Sequence, residues 1–331
     1  MRALLLATAL TTAVACGGDS EPAGSGDGRL RVATTVSPLT SIAESIGGER
    51  IELTGIIPEG VNSHTFDPAP SVARTLSDAD LIVINGLQLE EPALDLARAS
   101  KRDDAVILLL GDRAISREEG VFDFSFPESG GKPNPHLWTD PLLALRYGEL
   151  ISEQLVALDP TNADYYRANL ATFGARVQQL DEAIREAVAT IPPPQRMLLT
   201  YHDSFPYFAR RYGFEVLGAV QPSNFSDPSP REVARLIDQV SASGVPAIFG
   251  SAVFSSDVLE TIAAESGARY VDRLRDDDLP GEPGDARHSY LGLMVTNVEI
   301  IVSALGGDAT ALRVVDVSPV FERARAASDA R

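Results

Sequence analysis

The chain has 331 residues, of which 44% are hydrophobic and 23% are charged, and its formal net charge at pH 7 is -19. This composition is typical of a globular protein, and the length is enough for two domains with hydrophobic cores. The negative charge argues against nucleic acid as a partner, because phosphates would be repelled. A single cysteine excludes an internal disulfide and a cysteine-based metal site.

The N-terminus has the features of a secretory signal peptide. MRALLLATALTTAVAC carries a positive charge at Arg2, then an apolar run, then small residues that end at Cys16. The apolar run is too short for a helix that spans a membrane in the mature protein. Its end resembles the lipobox of bacterial lipoproteins, which implies a lipid on Cys16; an ordinary secretory signal is the alternative. Residues 1–15 are predicted to be the signal, and residues 16–29 a lipidated N-terminus and flexible tether.

Eight short apolar segments predict two parallel sheets. The first set is LRVATTV, IELTGII, LIVINGL and AVILLL, and the second is RMLLTYH, EVLGAVQ, PAIFGSA and ARYVDRL. Helical patterns lie between several of them, and such alternation favours parallel sheets covered by helices. The predicted fold class is therefore α/β, with two lobes over residues 30–160 and 193–307. Each lobe is expected to contain a mostly parallel sheet flanked by helices.

A long amphipathic helix is predicted between the two lobes, over residues 161–192. Its apolar residues recur every three or four positions: Tyr166, Leu170, Phe173, Val177, Leu180, Ile184, Val188 and Ile191. Thr161 or Asn162 is expected to cap its start, and the prolines at 192–194 stop it. At 1.5 Å per residue the helix would be roughly 45 Å long, a rigid link between the lobes. A coiled coil is the disfavoured alternative. Residues 308–331 are left as a C-terminal tail.

The four histidines of the chain lie near predicted strand ends. His64 follows the second strand, His136 lies in NPHLWTDP after the fourth, His202 ends the fifth, and His288 precedes the final helix. Loops beyond the carboxyl ends of parallel strands gather at one edge of the sheet. Two histidines from each lobe are therefore expected to meet across a cleft, and solvated surface histidines are the alternative.

Four segments around these histidines resemble the cluster A-I substrate-binding proteins, the metal-binding solute receptors of ABC transporters for zinc and manganese. They are SHTFDPAPS, NPHLWTDP, TYHDSFPYFARRYG and HSYLGLMVTNVEIIVSAL. The resemblance implies two α/β lobes bridged by one long helix, with metal ligands at His64, His136, His202 and His288. It also implies a permease and an ATPase as partners, and a lipid-anchored location in the periplasm or on the extracellular face of the cell membrane.

The fourth ligand position departs from the family, which usually carries an aspartate there. His288 occupies it in this sequence, and Asp285, three residues earlier, or water is the alternative. Neutral imidazoles in a tetrahedral arrangement suit Zn2+, whereas Mn2+ prefers oxygen ligands. Cu2+ and Ni2+ also bind histidine-rich sites. The sequence therefore predicts a zinc receptor, and a monomer is expected.

A zinc-dependent hydrolase and a metal-binding surface adhesin are the alternative functions. A hydrolase would need an open metal position for an activated water. The sequence contains no H-E-x-x-H, G-x-S-x-G or Walker A motif. Nothing in it marks an adhesive surface. We therefore expect a binding protein and not an enzyme.

Residues beside the histidines are candidates for supporting roles. Asp67, Asp140 and Asp203 lie within four positions of a histidine and are expected to accept its second ring N–H, although turn formation explains the first two equally well. Trp138 is expected to pack inside a lobe. Residues 112–135 contain no histidine and are interpreted as an acidic flap.

The lipobox generates a first prediction. Cys16→Ser should move the protein from the membrane fraction to the soluble fraction, because the anchor would be lost, and should leave zinc affinity unchanged. Cell fractionation and calorimetry on the same variant measure the two effects. A substituted protein that still sediments with membranes would contradict lipidation at Cys16.

Overall fold

The computed structural model describes residues 28–221 and 228–321. The predicted signal peptide and Cys16 lie outside the described residues. Strands form two four-stranded parallel sheets. The predicted α/β fold with two parallel sheets is therefore confirmed. Among the described residues, no helix combines the length and the apolar character needed to span a membrane.

The strands coincide with the predicted apolar segments. In the first lobe they are β1 Leu30–Thr34, β2 Ile51–Gly55, β3 Leu81–Ile84 and β4 Val106–Leu109. In the second lobe they are β5 Met197–His202, β6 Glu215–Gln221, β7 Ala247–Ser251 and β8 Arg269–Leu274. The strand orders are β2-β1-β3-β4 and β6-β5-β7-β8. The inner strand β3 is buried along its whole length, whereas the outer strand β8 exposes Arg269, Asp272 and Arg273. This difference is expected when helices cover both faces of a sheet but leave its edges open.

Ten helices connect and cover the strands in the described parts of the chain. They are α1 Ser37–Gly47, α2 Pro70–Asp78, α3 Glu91–Ser100, α4 Leu110–Ala114, α5 Pro141–Leu158, α6 Ala163–Ala189, α7 Pro206–Tyr212, α8 Pro230–Ser243, α9 Asp257–Ser266 and α10 Tyr290–Ala304. Several of them begin with proline, which fits the first turn because a backbone N–H at that position would have no partner within the helix. Asp140 caps α5 by accepting a hydrogen bond from the Leu142 backbone N–H.

The long helix α6 has 27 residues and is roughly 40 Å long. Its predicted apolar stripe is confirmed, since every member from Tyr166 to Val188 is buried except Leu170, which is partly buried. The predicted cap is wrong in detail. Asn162 precedes the helix but its side chain makes no capping hydrogen bond. Asp159 instead accepts a hydrogen bond from the Asn162 backbone N–H, in a 3-10 turn before the helix.

Helix α6 contacts helices of both lobes, which fits its predicted role as a link. It packs against α1 and α5 of the first lobe and against α7 and α10 of the second. Asp181 in α6 anchors one of these contacts, because its carboxylate accepts hydrogen bonds from Arg211 Nε at 2.7 Å and Nη2 at 2.8 Å. Arg211 also pairs with Asp140 at 3.4 Å. The guanidinium therefore joins the start of α5, the middle of α6 and the end of α7.

This ion-pair network generates a second prediction. Arg211→Met should lower the free energy of unfolding by about 3 kcal/mol, because it leaves the buried Asp140 carboxylate without its cation and the buried Asp181 carboxylate with only the half-exposed Arg185. Urea denaturation of the metal-free protein measures the loss. Arg167→Met, which removes an exposed pair with Asp164 on the same helix, is the matched control and should change stability by less than about 1 kcal/mol. Equal effects of the two substitutions would contradict the role of Arg211.

Candidate metal centre

Three of the four histidines meet between the two sheets. His64 lies in the loop between β2 and α2, His136 in the loop before α5, and His202 at the end of β5. One ligand nitrogen from each lies within 4.8 Å of the other two. The Nε2 atoms of His64 and His136 are 3.2 Å apart, and the His202 ring centre is 4.6 Å from that of His136. The carboxyl ends of parallel strands have thus brought together residues that are far apart in sequence.

Two asparagines position the first two histidines. The Asn62 side-chain oxygen accepts a hydrogen bond from the His64 backbone N–H at 2.9 Å, and Asn134 does the same for His136 at 3.1 Å. Such turns, in which an asparagine binds the backbone two residues ahead, hold a loop without regular secondary structure. The Pro135 carbonyl also accepts a hydrogen bond from Asn85 Nδ2. The loop that carries His136 is therefore held from both sides.

The proton on His136 is placed by Asn134. His136 Nδ1 lies 2.8 Å from Asn134 Oδ1, and because an amide oxygen only accepts, Nδ1 carries the hydrogen. The lone pair is therefore on Nε2, which faces His64. Asn134 Nδ2 is 2.8 Å from the backbone oxygen of Asp203, the residue after His202. One side chain thus sets the tautomer of a first-lobe histidine and binds the second lobe.

His202 has a carboxylate behind it. Its Nδ1 donates to Asp276 Oδ2 at 2.6 Å, so its Nε2 is the nitrogen available for a metal. Burial alone would lower the pKa of His202, but the hydrogen bond and the negative charge of Asp276 raise it above the usual value. Burial alone would raise the pKa of Asp276, but the hydrogen bond from His202 holds that pKa below its usual value.

The environment of the other two histidines, His64 and His136, favours their neutral form. Burial, followed by the nearby His202, lowers the pKa of both His64 and His136 well below 6.5. His136 is completely buried. Neutral imidazoles are the form that coordinates a metal, because protonation removes the lone pair. The surroundings of His64 and His136 therefore disfavour the doubly protonated, positively charged form of each ring.

A second aspartate, Asp277, lies beside the histidines and was not predicted. One of its oxygens accepts a hydrogen bond from Ser63 Oγ, next to His64, while Oδ1 is buried and has no hydrogen-bond partner among the described residues. Burial, and then the charge of Asp276, raises the pKa of Asp277 to about 7. The segment RDDDL directly follows β8, so three successive aspartates after a strand were the signal in the sequence.

His288 does not join the other three histidines in this structure. Its Nε2 is 3.8 Å from Glu59 Oε1, and it lines a separate cavity of about 320 Å³ with Asp285. The local turn explains the placement: the His288 backbone N–H donates to the Asp285 carbonyl, and Ser289 caps α10. Asp285 is exposed and accepts a hydrogen bond from the Glu282 backbone N–H. Neither fourth-ligand candidate from the sequence lies in the cluster, whereas Asp276 and Asp277 lie beside it.

The expected aspartate partners of the ring nitrogens are wrong for two histidines. Asn134, not Asp140, binds the second ring nitrogen of His136, and Asp276, not Asp203, binds that of His202. Asp140 caps α5 instead. Asp67 is exposed and has no hydrogen bond with another described residue. The presence of an aspartate nearby in the sequence does not decide these contacts, since the partner of His136 is an asparagine two residues before it and the partner of His202 is an aspartate 74 residues after it.

Aromatic residues close the site. Trp138 is fully buried as predicted, but it also borders the site: its ring centre is 5.2 Å from that of His136, and its indole N–H donates to the Asp276 carbonyl at 2.9 Å. Phe126, from the 112–135 segment, lies 6.2 Å from the His64 ring centre and 6.3 Å from that of His136. This segment therefore covers the histidines with an aromatic side chain.

Comparison with known proteins agrees with this architecture. Residues 32–304 match the family model for the periplasmic zinc-uptake complex component A, ZnuA. The chain is 31% identical to the manganese-binding lipoprotein MntA of Halalkalibacterium halodurans, over 88% of this chain and 94% of that protein. It is 29% identical to the iron-binding protein YfeA of Yersinia pestis, over 84% and 87% of the two chains. The solved periplasmic zinc-binding protein TroA of Treponema pallidum superposes with a TM-score of 0.76 at 25% identity, covering 84% of this chain and 99% of that one.

The family match spans most of the chain, and the two-sheet fold with its long helix is shared with a solved member. The relatives are solute-binding components of metal transporters, which agrees with the expectation of a binding protein that works outside the cytoplasm. The protein therefore belongs to the ZnuA family of metal-binding, extracytoplasmic substrate-binding proteins of ABC transporters.

Proposed function

We propose that the protein captures Zn2+ between its lobes and delivers it to an ABC permease. The observation that carries the proposal is the cluster of His64, His136 and His202, in which two Nε2 atoms are 3.2 Å apart. Two nitrogens bound tetrahedrally to one zinc ion at 2.0 to 2.1 Å are separated by about 3.3 Å. The fold thus holds these two donors at nearly the distance that one ion requires.

The fourth donor in this proposal is an oxygen of Asp277. Its Oδ1 is buried without a hydrogen bond to any described residue, and its carboxyl group is bound to Ser63 beside His64. An isolated buried carboxylate is unfavourable, and a bound cation removes that penalty. Asp276 has a different role, because it already accepts the Nδ1 proton of His202. Asp277 would also give the site a negative charge, which His288 would not.

Zinc is proposed because three of the four donors are imidazoles. Neutral nitrogen donors in a four-coordinate site suit zinc, whereas manganese favours more oxygen ligands. Manganese is the second candidate, and two observations favour it: a carboxylate pair adjoins the histidines, and the relative at 31% identity is named for manganese. Cu2+ and Ni2+ share the nitrogen preference and belong in the same competition experiment.

The proposed partners are the permease and ATPase of an importer, since relatives are named as substrate-binding lipoproteins of metal ABC transporters. We propose that a lipid on Cys16 holds the protein at the membrane and that one chain acts as a monomer. The net charge of -19 gives the surface an attractive field for divalent cations. Such a field raises the rate of metal capture and weakens as ionic strength rises.

The ligand set generates a third prediction. The protein should bind one Zn2+ per chain, and Asp277→Ala should weaken binding by about tenfold or more, because it removes the only oxygen donor in the proposed set. Calorimetry after chelator stripping measures stoichiometry and affinity, with Mn2+, Cu2+ and Ni2+ titrated in parallel.

His288→Ala and Asp285→Ala are the matched variants for this experiment, because both residues line the separate cavity. They should leave zinc affinity within about twofold of the original. A loss with His288→Ala but not with Asp277→Ala would restore His288 as the fourth ligand. Tighter binding of Mn2+ than of Zn2+ would establish the manganese alternative.

The support of His136 generates a fourth prediction. Asn134→Ala should weaken metal binding by about 10- to 100-fold. The substitution removes the oxygen that accepts the Nδ1–H of His136 and thereby fixes the tautomer of this ring. Asn134→Asp keeps an acceptor for Nδ1–H, so it should retain more affinity than Asn134→Ala. Comparable affinity of Asn134→Ala and the original protein would show that the ring is held by packing alone.

A further inference from the structure

The histidine cluster is closed to solvent on one side more completely than on the other. His136 and His202 are buried, whereas His64 is only partly buried and the next residue, Thr65, is exposed. On the inner side, the fully buried Trp138 borders His136, with 5.2 Å between the ring centres. Solvent therefore has its nearest approach to the three rings beside His64.

Phe126 lies beside His64 and covers two of the rings. Its ring centre is 6.2 Å from that of His64 and 6.3 Å from that of His136, the two histidines whose Nε2 atoms are 3.2 Å apart. Unlike Trp138, Phe126 is not among the side chains that form or pack against the hydrophobic core of the described residues. Packing of a lobe interior therefore does not explain its position, whereas a role at the histidines does.

Hydrogen bonds connect the turn that carries Phe126 to the histidine site. The Asp123 carboxylate accepts a hydrogen bond from the Phe126 backbone N–H at 2.8 Å and, through its other oxygen, from Asn134 Nδ2 at 3.1 Å. The Asp123 backbone N–H donates to the Phe126 carbonyl at 3.2 Å, which closes the turn. Because Asn134 also binds the His136 ring, the phenyl ring and the imidazole that it covers are positioned by the same side chain.

The same segment is also bound to the second lobe. The Val121 backbone N–H donates to the Tyr207 hydroxyl at 3.2 Å, and the Glu119 carbonyl accepts a hydrogen bond from Arg210 Nη1 at 2.6 Å. Both partners lie in α7, which begins shortly after His202. The segment thus reaches from the first lobe to the second and holds Phe126 at the cleft between them.

Access of water affects which ion such a site prefers. Apolar side chains around a metal site limit the entry of solvent. Zinc is satisfied by four ligands, which the three histidines and Asp277 supply in the proposed site. Manganese prefers a higher coordination number and oxygen ligands, and in this site water would have to supply the additional oxygens. A side chain that excludes water therefore disfavours manganese more than zinc.

We propose that Phe126 is a specificity-determining residue, whose ring keeps water out of the coordination sphere of the captured ion and so favours Zn2+ over Mn2+. This inference rests on the proposed function, because it concerns the same three histidines. It assigns to the 112–135 segment a role in metal selection that requires no metal ligand from that segment.

Matched substitutions in this segment test the role of Phe126. Calorimetry on the mature full-length protein should show that Phe126→Ala lowers the ratio of Zn2+ affinity to Mn2+ affinity by about tenfold or more. Phe126→Leu keeps an apolar cover and should retain a ratio closer to the original. Phe124→Ala removes the same type of side chain from a position that is 54% exposed, and should change the ratio by less than about twofold.

Co2+ provides a second readout, because it absorbs visible light more strongly in a four-coordinate than in a six-coordinate site. The original protein and Phe124→Ala should give the strong four-coordinate spectrum, and Phe126→Ala the weaker spectrum of a site that has gained water. Urea denaturation of the metal-free proteins should give similar midpoints, since Phe126 lies outside the hydrophobic core. A lower midpoint for Phe126→Ala with an unchanged spectrum and ratio would assign Phe126 to packing alone.

Three other results would overturn the proposal: a four-coordinate spectrum of Phe126→Ala, a six-coordinate spectrum of the original protein, or an equal effect of Phe124→Ala. The proposed function would fail by a different result, an original protein that binds Mn2+ more tightly than Zn2+. In that case a lower affinity ratio in Phe126→Ala would still support the role of Phe126, because the comparison is between the variant and the original protein.

Discussion

The directions of the imidazole nitrogens are the constraint on which this site depends. A metal needs three lone pairs that point at one volume, and each ring can present either of two nitrogens. Asn134 holds the hydrogen of His136 on Nδ1, and Asp276 does the same for His202. In both rings the Nε2 atom is therefore left for coordination. The hydrogen-bond partners behind the rings therefore contribute to the site together with the histidines, because they select the coordinating atom.

Other polar contacts join the two lobes around the site. Gly60 N–H donates to Asp278 Oδ1 at 2.7 Å, and Leu279 N–H donates to Glu59 Oε1 at 3.2 Å. The Trp138 indole N–H reaches the Asp276 carbonyl. Together with α6, which packs against helices of both lobes, these bonds limit how far the lobes can separate. Little ordering is then required on binding, which favours affinity.

The acidic residues after β8 give the site its electrostatic character. Asp276 stabilises a proton on His202 Nδ1, whereas the pKa of Asp277 is raised to about 7 by burial and by its charged neighbour. A divalent cation would relieve both the desolvation of Asp277 and its repulsion from Asp276. Arginines precede these aspartates along the same strand and its extension, at Arg269, Arg273 and Arg275. One strand thus leads from a row of cationic side chains to the carboxylates beside the histidines.

The amino-acid sequence by itself determined the two sheets, the long helix and three of the clustered residues. Strand and helix periodicity arises from local burial patterns, and the carboxyl ends of parallel strands meet at an edge, so His64, His136 and His202 followed from position. Only the tertiary structure decided the rest of the site. Whether Asp276, Asp277 or His288 lies near those rings depends on how the loop after β8 turns before Ser289 caps α10, and on contacts with Ser63, Glu59 and Trp138 from the other lobe. These contacts join residues far apart in the chain, and no local pattern records the direction in which a loop side chain points.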